Sequence, residues 1–268
     1  MVRFNRYFKG KTKALVLSYD DAQATDRHMV ELLNEYGIKA TFHLNTDNLD
    51  RKGYLCSGEI TALYKGHEIA AHTHSHPHMV QLPKEERLME LWKDREGLEV
   101  ISGTIVEGFS YPYGEYDKKL IRLAEAVGFT YARTIESQYD FLLPGDFYAW
   151  HPTCHHRENC ALLAENYLNY DYREGLSVFS LWGHSHNFER EGNWEVLERF
   201  CRLMGGREEI WYCTMGELAR YVRGLGAVRT SLRGDLLYNP TGQELWFELD
   251  GRLVSIGPGE RKRTEELL

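Results

Sequence analysis

The sequence predicts an α/β protein: a barrel of about seven parallel strands alternating with helices, followed by a small C-terminal antiparallel β appendage. Three observations carry this prediction. From residue 14 to residue 222, short apolar runs alternate with amphipathic segments, several of them stopped by glycine, which is the βαβ rhythm of a parallel sheet. Polar clusters follow the strand ends, where barrels of this kind gather their chemistry. From about Ala227 the rhythm gives way to alternating segments divided by turns.

The elements follow in order. Ala14–Leu17 is a buried-type strand running into Ser18-Tyr-Asp-Asp21. Asp26–Tyr36 has helical spacing (Met29, Leu32, Leu33, Tyr36), and Gly37 stops it with a residue suited to left-handed backbone. Lys39–Leu44 is the next strand. Ile60–Tyr64 is a helix ended by Gly66, and His67–Ala71 is a strand. Lys84–Ile101 is a long amphipathic helix (Leu88, Leu91, Trp92, Leu98). Gly108–Tyr111 is a strand running into Pro112, Lys118–Val127 a helix closed by Gly128, and Thr130–Arg133 a strand. Ser177–Trp182, Trp194–Leu203, Glu209–Cys213 and Met215–Val222 read as strand, helix, strand and helix. Thr230–Leu237 and Glu244–Ser255 read as antiparallel strands, divided by the turns Asn239–Gly242 and Asp250-Gly251. The charged tail Arg261–Leu268 is expected to fray. The domain division is therefore 1–226 for the barrel and 227–268 for the extension.

Composition narrows the functional classes. At 268 residues the chain can bury a large single core, and 43% hydrophobic with 27% charged residues excludes a disordered tail. A formal net charge of −8 is the wrong sign for gripping phosphate backbones, so no nucleic-acid partner is expected. No stretch approaches the roughly 20 apolar residues of a membrane span. The apolar run near the N-terminus is too short for a signal-peptide core. The five cysteines (Cys56, Cys154, Cys160, Cys201, Cys213) are odd in number and widely spaced, which suits reduced thiols. Together these set the expectation of a cytoplasmic protein. Oligomeric state is not legible.

Four polar constellations follow strands. Asp20-Asp21 places two carboxylates at one loop, which is costly unless a cation or a shared proton absorbs the charge; on its own the pair also reads as a helix N-cap beside a turn residue. His72-Thr-His-Ser-His76-Pro-His78 holds four histidines in seven residues. A His-x3-His spacing lets two imidazoles reach one ion, and both His72/His76 and His74/His78 have it. Zinc or a similar borderline metal suits two imidazoles and one carboxylate. Phe109–Gly114 contains Pro112-Tyr113-Gly114, which in isolation is a turn. Leu181-Trp-Gly-His-Ser-His186 sets two histidines beside a tryptophan.

Over roughly residues 12 to 222 these segments resemble the polysaccharide deacetylase (NodB-homology, carbohydrate esterase family 4) superfamily. Ser18–Ala22 stands where that family has Thr-Phe-Asp-Asp-Gly, and His72–His76 matches its His-(Ser/Thr)-x-x-His motif. Gly37–Phe42 and Gly66–Ile69 look like its connecting segments. Ser110–Gly114 loosely resembles its Arg-x-Pro-Tyr motif, and Leu181–His184 its Leu-x-His motif. The resemblance implies a deformed (β/α) barrel, one divalent metal ion on Asp21, His72 and His76, Asp20 as general base and His184 as general acid. It selects His72/His76 over the other histidine pair. Zinc is the expected ion, with cobalt, nickel or manganese served by similar ligands.

Ser110 replaces the family's arginine that orients the catalytic aspartate, and Arg133 is the candidate substitute. Pro112 and Tyr113 are expected at the substrate, with a backbone N–H of the Tyr113 loop facing the oxyanion. Trp182 and Tyr111 are candidates to stack on a sugar, Trp150 to wall the pocket and His155 to add a polar group. The expected reaction is hydrolysis of an N-acetyl or O-acetyl group on a carbohydrate. The rivals are hydrolysis of a non-sugar amide such as a cyclic ureide, and carbohydrate binding without turnover. Retention of a base beside three metal ligands disfavours the last.

Overall fold

The computed structural model describes residues 1–172 and 175–268. In chain order the strands and α-helices are β1 (Val2–Arg3), β2 (Lys13–Asp20), α1 (Asp26–Glu35), β3 (Thr41–Leu44), α2 (Ile60–Leu63), β4 (Glu68–Ala71), α3 (Lys84–Ser102), β5 (Gly108–Ser110), α4 (Lys118–Val127), β6 (Tyr131–Arg133), β7 (Cys154–His155), α5 (Cys160–Asn169), β8 (Ser177–Gly183), α6 (Ser185–Glu191), α7 (Glu195–Met204), β9 (Ile210–Tyr212), α8 (Met215–Ala227), β10 (Arg229–Thr230), β11 (Leu236–Tyr238), β12 (Leu245–Leu249), β13 (Arg252–Ile256) and β14 (Arg261–Arg263).

Eight of these strands form one parallel sheet in the order β6-β5-β4-β3-β2-β8-β7, with β9 also on β2. Strand β2 sits at its centre and is buried on both faces, as a parallel strand covered by helices must be. Its side chains alternate. Leu15, Leu17 and Tyr19 join the outer layer with Met29, Val30 and Leu33 of α1, while Ala14 and Val16 join the inner cluster. Continuing that alternation puts Ser18 and Asp20 on the inner side, at the strand's C-terminal end.

The barrel is deformed in two places. One edge of β2 is shared: β9 pairs with Lys13–Leu15 and β3 with Ser18–Asp20. The two ends of the sheet meet through a single bridge, Arg133 with Trp150. There Trp150 donates its N–H to Ala132 O at 3.0 Å and accepts from Thr134 N–H at 2.9 Å. Four residues later the chain joins β8 as β7. The expected deformed (β/α) barrel of about seven parallel strands is therefore observed: among the described residues seven strands follow one another in the sheet, and β9 adds to β2 beside them.

The C-terminal strands form two small antiparallel sheets, β1-β12-β13 and β10-β11-β14. They share one apolar cluster with α8 and the barrel interior, in which Tyr7, Val16 and Val178 meet Leu218, Tyr221, Leu245, Phe247 and Ile256. The strands begin at this end of the barrel, so the extension and α8 plug the end opposite Asp20.

Several elements depart from the sequence reading. The tail was expected to fray, yet Arg261–Arg263 pairs in register with Leu236–Tyr238. Thr230–Leu237 is two short strands rather than one, because the chain reverses between them at Gly234. The N-terminal pairing of β1 with β12 and the helices α5 and α6 carried no recognised signal. Helix α8 runs five residues beyond Val222, and its Thr214–Glu217 capping box sets its start. All five cysteines are free and four are buried. No helix among the described residues is long and apolar enough to cross a membrane.

Because the extension completes the barrel's inner cluster, Phe247→Ala should lower the stability of the whole chain by about 3–5 kcal/mol in one cooperative denaturant transition. A separate early transition that leaves the barrel intact would show an autonomous extension instead.

Candidate metal centre and acid–base groups

The centre assembles where β2, β4, β5, β6 and β8 end. Asp21 directly follows β2 with φ +85°, a left-handed backbone rare for a non-glycine residue, and its N–H donates to His43 O at 2.9 Å. This sharp exit sends the Asp20 and Asp21 side chains different ways into one pocket. After β4 the chain turns equally sharply, with positive φ at Thr73 and His76.

Buried polar groups hold that histidine turn. Asn45 Nδ2 donates to the carbonyls of His72 and Thr73 at 2.5 and 2.9 Å. Asp94 on α3 accepts from His72 N–H at 2.9 Å, and from the N–H and Oγ1 of Thr46 at 2.8 and 2.9 Å. Burial pushes the Asp94 carboxyl up to about 7, although these bonds oppose it.

Asp21, His72 and His76 offer ligand atoms within 4.8 Å of one another, the only such group of three among the described residues. His72 Nε2 and His76 Nε2 lie 3.8 and 3.9 Å from Asp21 Oδ1. Tetrahedral ligands about 2.1 Å from zinc sit about 3.4 Å apart, so small side-chain rotations bring the three onto one ion. The tautomer is suitable as well. His72 Nδ1 faces Ser110 O at 2.9 Å and Ser110 Oγ at 2.6 Å, so an N–H there donates to the carbonyl and leaves the Nε2 lone pair towards Asp21. Burial pulls the His72 imidazole down to about 3, hence neutral. Burial, with the Asp20 charge adding to it, pushes the Asp21 carboxyl up to about 6. A cation at this position would relieve that penalty.

Asp20 is only 2% exposed, and its environment differs from that of Asp21. Its Oδ2 pairs with Arg133 Nη2, and its Oδ1 accepts from Ser110 Oγ at 3.3 Å. Burial alone would raise its carboxyl. The Arg133 charge, followed by His72, His43 and His184, outweighs burial and holds it well below the usual carboxylate range. Arg133 is fully buried and is itself fixed: Nε donates to Ser18 Oγ at 2.8 Å, Nη1 to Thr134 O at 2.9 Å, and Cζ lies 4.7 Å from the Trp182 ring. Asp20 is thus ionised yet occupied by these partners, while Asp21 is free to ligate.

The remaining candidates are distributed as follows. His184 Nε2 reaches Asp21 Oδ2 at 3.6 Å from the far side of the carboxylate, just before α6. Ser185, next to it, donates to Asp26 and ties α6 to α1. Tyr113 is 48% exposed with φ +58°; its ring meets His76 at 4.6 Å and stacks on His78 at 3.9 Å. Pro112, buried beneath it, starts that turn. Trp182 is wedged between Arg133 and the rings of His155 and His184, at 4.6 and 5.8 Å.

The second histidine pair joins no such group among the described residues. His74 bonds Thr46 Oγ1 at 2.7 Å, and His78 faces Glu115 at 3.2 Å. Two aromatic candidates are also corrected. Trp150 is 1% exposed, packed between Tyr131 and Phe147 where the barrel closes, so it walls no pocket. Tyr111 is buried against Phe109 and Tyr116, so it offers no face to a sugar. Ser110 is the residue that sequence reasoning undervalued. It was read as a lost arginine, yet it touches both His72 and Asp20.

A polysaccharide deacetylase family model matches residues 9–132. Chitin deacetylase from Amylomyces rouxii is 28% identical over 115 residues, covering 42% of this chain and 27% of that protein. Chitin deacetylase 1 from Cryptococcus neoformans var. grubii is 30% identical over 115 residues, covering 42% and 24%. The chain spans about a quarter of the length of these curated relatives. Among solved structures, a protein described as a polysaccharide deacetylase from Mycobacterium smegmatis has a TM-score of 0.64 at 19% identity, covering 86% of this chain and 96% of its own. A family 4 acetyl xylan esterase from Clostridium thermocellum, in complex with a cobalt ion, has a TM-score of 0.54 at 19% identity, covering 76% and 89%. At these identities the likeness establishes a shared fold.

Arg133→Met should cost the metal-free protein about 3–5 kcal/mol at pH 7, since it strands a buried carboxylate. Asp20's folded pKa lies below its unfolded value of about 3.9, so the pair's contribution is present above that pH and is lost as pH falls through the folded pKa. Denaturant melts should therefore show a smaller penalty near pH 3 than at pH 7. A penalty independent of pH would mean that Arg133 acts by packing alone.

Proposed function

We propose that the chain, whose residues 9–132 match a polysaccharide deacetylase family model, is a member of that superfamily and a metal-dependent hydrolase that removes acetyl groups from a carbohydrate. The observation that carries this reading is the division of labour between adjacent aspartates. Asp20 is ionised and held by Arg133 and Ser110, beside three potential ligands that it does not join. A site that only binds sugar has no use for a second buried carboxylate kept charged there.

The residues present fit a divalent ion. Two imidazoles and a carboxylate are a zinc-type donor set, and His72 has its outer nitrogen engaged as metal-bound histidines do. Cobalt, nickel and manganese share such ligands. Bound at Asp21, His72 and His76, the ion supplies a Lewis acid for the acetyl carbonyl and lowers the pKa of water.

The chain's own groups do the rest. Asp20, with a fixed orientation and a full charge, takes the proton of the attacking water. Arg133 keeps that carboxylate from swinging into the ligand set, so base and ligand stay distinct. The tetrahedral oxyanion needs a donor besides the ion, and a backbone N–H of the Tyr113 loop, beside His76, is the candidate. The departing amine or alcohol needs a proton, which His184 delivers from the opposite side of Asp21. His155, half-buried near His184, is the further polar group for the acetylated sugar, while Trp182, buried against Arg133, backs both rings rather than offering a face to the sugar.

The test is acetate release from N-acetylated chito-oligosaccharides by protein loaded with one divalent ion. Asp20→Asn should keep the metal and lower kcat by about 10²–10⁴, while His72→Ala should lose both metal and turnover. Full turnover by Asp20→Asn, or ring opening of a cyclic ureide without acetate release from any sugar, contradicts the proposal.

A further inference from the structure

The side chain of His184 is 25% exposed beside Asp21, and no hydrogen bond meets either of its ring nitrogens among the described residues. Asp21 Oδ2 stands 3.6 Å from its Nε2, and the rings of His186, Trp182 and His155 lie at 5.4, 5.8 and 6.4 Å. Its direction is therefore set through the backbone, by β8 before it and Ser185 after it.

Ser185 opens α6 and is fully buried. Its hydroxyl donates to Asp26 Oδ1, and with that one proton committed it accepts from Thr25 Oγ1 at 2.7 Å. The other oxygen of Asp26 accepts from Tyr64 Oη at 2.6 Å. Asp26 is 1% exposed and has no ion-pair partner among the described residues, so these two hydroxyls are what satisfy it. Burial still pushes its carboxyl up to about 7, against the pull of both bonds and with the Asp21 and Asp20 charges adding to it.

Asp26 begins α1, at the end of the loop that carries Asp21. That loop is itself fastened: Ala24 N–H donates to Gly53 O at 2.9 Å, and Leu55 N–H to Ala22 O at 3.0 Å. One carboxylate thus joins the loop of a candidate metal ligand to the turn of the candidate acid. A proton donor works only within hydrogen-bond reach of the atom it protonates, and a misplacement of about 1 Å can cost about 10²-fold in rate.

We propose that Asp26 is a positioning residue for the reaction: through Ser185 it aims His184 at the departing nitrogen, at a spacing fixed against Asp21. The inference rests on the deacetylase reading above and adds to it the group that orients its proton donor.

The test uses Ser185→Ala and Tyr64→Phe. Each removes one of the two hydroxyls from Asp26, but only the first lies beside His184. The metal-loaded enzymes are assayed on N-acetylchitotetraose, whose amine leaves only with a proton, and on 4-nitrophenyl acetate, whose phenolate leaves without one. Ser185→Ala should lower kcat on the sugar about 10–100-fold with KM kept. It should retain turnover of the ester within about twofold, and Tyr64→Phe should retain turnover of both. In a His184→Ala background, Ser185→Ala should change sugar turnover by no more than about twofold, because its effect passes through the missing imidazole. Equal losses on both substrates, losses that multiply with those of His184→Ala, or a Tyr64→Phe defect as large as that of Ser185→Ala overturn the positioning role and leave the deacetylase reading standing. So does a Ser185→Ala enzyme with no loss at all. A wild-type enzyme that releases no acetate from the sugar overturns both.

Discussion

A carboxylate that is almost wholly buried stays ionised only beside a fixed positive charge, and Arg133 supplies that charge to Asp20. The pair spans the barrel interior. Asp20 ends β2, Arg133 ends β6, and the arginine's remaining contacts reach Ser18 on β2 and Trp182 on β8. Without it, burial and the neighbouring Asp21 would drive Asp20 neutral or pull it towards any ion in the pocket. In either case the separation of base from ligand, on which the proposed chemistry depends, would be lost. A pair this buried contributes specificity of arrangement more than net stability.

The deformation of the barrel follows from the same requirement. Arg133 can reach Asp20 because β6 closes the sheet through Trp150 alone, a single bridge on the way to β7. Filling the interior with Trp150 and Tyr131 below, and capping it with α8 and the C-terminal strands, keeps that closure rigid. Around the mouth, positive-φ residues at Asp21, Thr73, His76 and Tyr113 each hold a backbone that costs about 1–3 kcal/mol to maintain. Buried hydrogen bonds with Asn45, Asp94 and Ser110 offset that cost and set the directions of the candidate ligands.

The sequence made the centre legible because its residues are local. Asp20 and Asp21 are adjacent, His72 and His76 share a turn, and each group directly follows an apolar strand. The choice of His72/His76 over His74/His78 was not in the spacing; it came from the family resemblance, and the contacts of His74 with Thr46 and of His78 with Glu115 agree with it. Long-range pairings were mostly hidden. The contact of Arg133 with Asp20, across 113 residues, was legible only as a candidate substitution, and Ser110 read as a loss because its hydroxyl works through neighbours from other strands. Aromatic residues near strand ends misled in two cases, since Trp150 and Tyr111 turn into the core and sequence adjacency carries no direction. The tail Arg261–Leu268 looked free because its charges gave no sign of the strand β11 that receives it.

The most direct measurement is anomalous diffraction from a crystal soaked with zinc or cobalt. The account predicts one ion about 2.0–2.2 Å from Asp21 Oδ, His72 Nε2 and His76 Nε2, with Asp20 outside the coordination sphere and still paired with Arg133. An ion ligated by Asp20, or one bound away from the two histidines, would contradict it.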